Sequence, residues 1–174
     1  MRKYQLSWIL ISVLFCGAAN AERTPGPAAK EAGDLGLVIV ASDTPKYIEE
    51  WLSTPSSHGV TINRLKVAKP DQLIVTAFLV TGMSANDDGN YEFSVSLYIL
   101  DPNEKPIFGR RNYAKGKGKL PSKPMLTMAD SALDLIFEES DPEGTYTIVA
   151  QVVDLVNGKK ASDSYSIKFI KGEL

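Results

Sequence analysis

From residue 35 onward the chain is written in period two. Tyr91, Phe93, Val95, Leu97 and Ile99 alternate with Glu92, Ser94, Ser96 and Tyr98. A strand sends successive side chains to opposite faces, so this spacing buries one face and wets the other. The pattern recurs. Leu133, Leu135 and Phe137 alternate with Asp134, Ile136 and Glu138. Tyr146, Ile148, Ala150 and Val152 run opposite Thr147, Val149, Gln151 and Val153, and Tyr165, Ile167 and Phe169 run opposite Ser164, Ser166 and Lys168. Leu35–Ala41 is a short apolar strand, and Gln72–Thr81 is apolar on both parities, as a central strand is. A strand with one apolar face needs a second layer to bury it. The expected fold class is therefore all-β, an antiparallel sandwich of about seven or eight strands.

Turn chemistry punctuates these runs at Asn86-Asp87-Asp88-Gly89-Asn90, Asp101-Pro102-Asn103-Glu104, Asp141-Pro142-Glu143-Gly144 and Asn157-Gly158-Lys159. Each supplies residues that tolerate positive φ or preset a turn. Val60–Val67 changes phase: Val60 and Ile62 share one parity, Leu65 and Val67 the other. A strand bulged near Asn63-Arg64 reconciles the halves. One short N-terminal helix is expected, capped by Asp43 or Thr44, with Pro45 in its first turn. Tyr47, Ile48, Trp51 and Leu52 form its apolar stripe, and Pro55 and Gly59 end it.

The first 21 residues read as a secretory signal. Arg2 and Lys3 precede an apolar run from Leu6 to Phe15, and Ala19-Asn20-Ala21 suits cleavage after Ala21. Cleavage removes two of the 19 basic residues and none of the 21 acidic ones. It also removes Cys16, the single cysteine, and the bulky Phe15 before that cysteine disfavours lipidation. Residues 22–34 carry Pro, Gly and charge without an apolar face and read as a flexible lead-in to one domain, 35–174. The expected location is periplasmic or secreted, with no transmembrane segment in the mature chain.

Asp141-Pro142-Glu143-Gly144-Thr145-Tyr146-Thr147-Ile148 resembles the start of strand F in immunoglobulin-like and fibronectin-like modules of bacteria. There an Asp and a small residue precede a Tyr whose hydroxyl closes a corner. Ile148 stands where the antibody-type cysteine would be, and Tyr91–Leu100 supplies no matching tryptophan. The resemblance implies an Ig-like sandwich and brings no family active site with it.

His58 is the single histidine, in a loop beside serines, and no G-x-S-x-G elbow exists to make a nucleophile of them. The carboxylates of Asp87, Asp88, Asp101 and Glu104 sit on turns at opposite ends of a strand, too far apart for one ion or a glycosidase pair. No cofactor and no metal are expected, and the chain reads as a non-enzyme. The most localised charge is Arg110, Arg111, Lys115, Lys117 and Lys119, expected to form an exposed, mobile loop that grips an acidic partner. A sequence pI near 5.5 argues against nucleic acid. Two functions are compatible with these residues. One is an exported interaction or accessory module whose partner is a protein or acidic glycan of the cell envelope. The other is a carbohydrate or small-ligand binder using Trp51, tyrosines and the basic loop.

Overall fold

A computed structural model describes residues 34–55 and 58–172. The expected signal, and the lead-in apart from Asp34, lie outside the described residues. The strands are β1 (Gly36–Ser42), β2 (Val67–Ala68), β3 (Ile74–Thr81), β4 (Asn90–Leu100), β5 (Pro106–Lys119), β6 (Thr127–Met128), β7 (Leu133–Leu135), β8 (Gly144–Asp154) and β9 (Lys160–Phe169). One helix, α1 (Lys46–Ser53), follows β1. The count exceeds the expected seven or eight because β5 and the two-residue β6 form where no strand was expected, while β2 is all that forms at the end of the expected Val60–Val67 strand.

Two sheets form. In the smaller, β3 is flanked by β1 on one side and by β6 and β7 on the other; the larger has the order β2-β9-β8-β4-β5. Pairing is antiparallel except that β2 runs parallel to β9. Leu37, Ile39, Phe78 and Val80 from the smaller sheet meet Phe93, Val95, Ile148, Ile167 and Phe169 from the larger in one buried core. The described residues thus form an all-β, two-sheet sandwich. Both parities of β3 are buried, as its sequence requires. Its other face, with Val75, Ala77 and Leu79, is covered by Tyr47, Ile48 and Trp51 of α1.

Three local expectations are corrected. Leu52 is 75% exposed, so the helical stripe ends at Trp51. Pro45 takes the N-cap position without a side-chain cap, and the Thr44 hydroxyl lies 3.4 Å from the Lys46 N–H. Residues 60–66 form no strand. Ile62 packs under the helix while Leu65 packs on the inner core, so the change of phase marks a segment crossing between layers. On the way it covers the free edge of β1: the Leu65 N–H donates to the Ala41 carbonyl (2.9 Å) and Arg64 to the Ile39 carbonyl (3.0 Å). The Ile39 N–H donates across the sandwich to Asp163 (2.8 Å).

Tyr146 is buried, and its hydroxyl donates to the Pro142 carbonyl at 2.9 Å, closing the corner. Its ring lies between Phe137 and Phe169. Burial raises its phenol pKa, as it does those of Tyr47 and Tyr165. Tyr146→Phe is expected to cost about 1 kcal/mol through the lost hydrogen bond. An unchanged urea midpoint would show that the corner does not need it.

Thr76 is the opposite case. It lies on the core-facing parity of β3 with Phe78, is fully buried, and its hydroxyl has no hydrogen-bond partner among the described residues. An unpaired buried hydroxyl costs desolvation with nothing in return. Thr76→Val should therefore leave stability unchanged or raise it by about 1 kcal/mol. A clear drop in the urea midpoint would contradict this.

Candidate functional site

The stretch expected to be a mobile basic loop is ordered instead as β5, paired to β4 along nearly its whole length. The glycines that argued for a loop are what let the strand form. Phe93 stands opposite Gly116 and Tyr91 opposite Gly118, with the two rings stacked at 5.9 Å. A side chain at Gly116 would put its Cβ 2.2 Å from the Phe93 ring. The aromatics lie over the strand where glycine leaves room. Lys115, Lys117 and Lys119, on the other parity, project outward opposite Ser94, Glu92 and Asn90. The Lys119 ammonium donates to the Asp88 carbonyl.

A large bulge divides β5. Ala114 pairs with Val95 and Arg110 with Leu97, so Arg111, Asn112 and Tyr113 share the space opposite Ser96 alone. Asn112 adopts φ 51°, a left-handed conformation that asparagine tolerates best among larger residues. Two serine hydroxyls hold it there. The Asn112 N–H donates to Ser96 Oγ (3.1 Å), and Ser94 Oγ donates to Asn112 Oδ1 (2.9 Å). Bulges of this kind re-aim side chains and break edge regularity.

The bulge also separates a covered half of the strand from an uncovered one. Downstream, Lys115 exchanges backbone hydrogen bonds with Asp130, and the Tyr113 hydroxyl donates to the Ala132 carbonyl (2.8 Å). Upstream, no strand among the described residues pairs with the outer edge of Pro106–Asn112. Ile107 is 53% and Phe108 41% exposed there. Because Lys115 turns its N–H and C=O away from β4, alternation along the β4 ladder puts those of Gly109, opposite Tyr98, on the open edge.

On the outer face beside this edge lies an open groove of ≈ 490 Å³. Ser96 and Tyr98 of β4, Arg110 and Arg111 of β5, Gln151 of β8 and Ser162 of β9 line it. Ser96, Gln151 and Ser162 form one row across three strands. Neither arginine side chain has a hydrogen-bond or ion-pair partner among the described residues. The sequence flagged the arginines but not the row. Its one signal was Tyr98, an aromatic on the polar parity of β4.

The remaining candidates lie elsewhere. Trp51 is half-buried against the cluster formed by Val40 and Val75, on the outer face of the smaller sheet and not beside the arginines. His58 is exposed in the segment after α1, its N–H donating to the Pro55 carbonyl. The Asn86 side-chain oxygen accepts from the Asp88 and Asn90 N–H groups (3.1 and 2.9 Å), and Asp101 Oδ1 from those of Asn103 and Lys105 (2.9 and 2.8 Å). Asn86 and Asp101 thus spend these oxygens on the backbone of their own turns. Among the described residues no group of three or more His, Cys, Asp or Glu is placed to hold a metal, and no helix is long and apolar enough to cross a membrane.

No family model matches the chain, and no curated protein matches it in sequence. Solved structures with a similar arrangement include the CARDB domain of a Pyrococcus furiosus protein, determined with di-metal ions. It is 15% identical, with a TM-score of 0.38, over 83% of this chain and 94% of that one. Another is a family 123 glycoside hydrolase from Clostridium perfringens, 12% identical, with a TM-score of 0.43, over 80% of this chain. The match spans 28% of that enzyme's length.

Proposed function

We propose that this chain is an exported, non-enzymatic contact module of the Ig-like sandwich type, and that it binds an extended segment of a partner protein along β5. The observation that carries this reading is the uncovered half of the strand, Pro106–Asn112, with Ile107 and Phe108 exposed beside it. An added strand takes its affinity from backbone hydrogen bonds and its specificity from side-chain contacts at alternate positions. Proteins usually blunt such edges with charge, proline or a short strand. The lysines provide that charge downstream of the bulge, whereas upstream the edge shows Ile-Phe-Gly before the arginines. The Ig-like assignment is supported by the Tyr146 corner, and the exported location by the signal-like order of Met1–Ala21. The intact mass of the exported protein should then begin at Glu22.

A photo-reactive amino acid at position 107, activated in cells that make the protein, should give a discrete protein adduct. Gly109→Pro removes the N–H from the open edge and should abolish that adduct without unfolding the domain. Failure to trap any protein, or an adduct indifferent to the proline, would reject strand addition.

A further inference from the structure

The groove on the outer face has a chemistry of its own, separate from the backbone edge. Its polar row, Ser162, Gln151 and Ser96, crosses the sheet and ends at the bulge, where Arg111 stands beside Arg110. Tyr98, on the neighbouring row, is 44% exposed, and its partner across the ladder is Gly109, which carries no side chain to cover the ring. The sheet therefore presents a ring face, a line of hydroxyl and amide groups, and Arg111, unpartnered among the described residues, beside one open concavity. Arg110, opposite buried Leu97, falls on the core-facing parity.

We infer that this groove binds an acidic saccharide, a sugar unit bearing a carboxylate. Each part of that chemistry has a counterpart. Guanidinium groups present planar pairs of N–H donors that match a carboxylate two bonds at a time. An exposed tyrosine ring suits the apolar C–H face of a pyranose while its hydroxyl stays wet. The serines and Gln151 donate to and accept from sugar hydroxyls. The volume, ≈ 490 Å³, falls in the range of small-ligand clefts and accommodates one or two sugar rings. The bulge is the built element. Asn112 is held in its left-handed conformation by two dedicated hydroxyls, and without the extra residues opposite Ser96 Arg111 would occupy another position in the ladder.

The protein should be titrated calorimetrically with a galacturonic acid trimer, with the neutral galactose trimer, and with an acidic tri-glutamate peptide. The inference expects binding of the galacturonate alone, weakening as salt rises because Arg111 supplies a screened charge. Arg111→Gln and Tyr98→Ala should each weaken it about tenfold or more, with Tyr98→Phe retaining most affinity. Urea midpoints of the variants separate loss of binding from loss of fold. No binding of the galacturonate at millimolar concentration would overturn the inference. Equal binding of the neutral sugar or of the peptide would also overturn it, the latter pointing to a protein ligand. The adduct from position 107 reads the strand edge and the calorimetry reads the groove. Arg111→Gln should weaken the saccharide while leaving the adduct in place, so failure of that contact and failure of this groove give different results.

Discussion

Replacing Gly116 with valine should destabilise the domain by about 3 kcal/mol, at the upper end of what overpacking a core costs. The new Cβ would meet three ring carbons of Phe93 at 2.2, 2.4 and 3.0 Å. Phe93 is fully buried and stacked on Tyr91, so its ring has nowhere to retreat. The urea midpoint should fall with its slope unchanged. Shrinking the neighbour tests the cause directly. In Phe93→Leu the same glycine substitution should cost much less, and the difference between the two costs is the coupling energy of the pair. Equal costs in both backgrounds would mean that the strand, not the ring, objects to a side chain at this position.

Asp154→Ala is expected to lose a similar amount, about 3 kcal/mol, for an electrostatic reason. The carboxylate is fully buried and accepts the Ser84 N–H at 2.7 Å and the Val156 N–H at 2.9 Å. It ties the segment after β3 to the hairpin joining β8 and β9, and Asn157 adds a bond to the Ser84 hydroxyl. Hydrogen bonds to a charged acceptor contribute about 1.5–3 kcal/mol each, and buried N–H groups left without a partner add their own desolvation cost. Asp154→Asn should fall between wild type and alanine, because one amide group can still accept. Amide exchange gives the sharper readout: Ser84 and Val156 should lose protection in Asp154→Ala. Unchanged protection there would mean that the carboxylate is not what holds these loops.

Strands whose inward residues are large were legible from the sequence, because alternation of size and polarity is itself the signal. That covers β3, β4, β8 and β9, and the corner at Tyr146. The hidden strand was β5. Its inward positions are Ala114, Gly116 and Gly118, and a glycine looks like a loop until its cross-strand partner is known. The information sits in the pair Phe93 and Gly116, more than twenty residues apart, and no single window contains it. The path of residues 60–66 was hidden for a different reason. Its apolar side chains serve two layers in turn, which in sequence is indistinguishable from a strand with a bulge. The candidate site was half legible. Arg110 and Arg111 stood out by charge, but Ser96, Gln151 and Ser162 become one surface only when three strands align.

The position of β9 sets a timetable for the molecule. It follows every other strand in chain order, yet it lies inside the larger sheet between β2 and β8. Its Asp163 receives the Ile39 N–H of the first strand, and its Tyr165 hydroxyl donates to the Leu65 carbonyl at 2.6 Å. A chain emerging N-terminus first from a ribosome therefore leaves one edge of β8 bare until residues 160–169 are out. Assembly waits for long-range partners, the kind of pairing that closes late and slowly. Until then the larger sheet stays open between β2 and β8, and its completion waits on the emergence of β9.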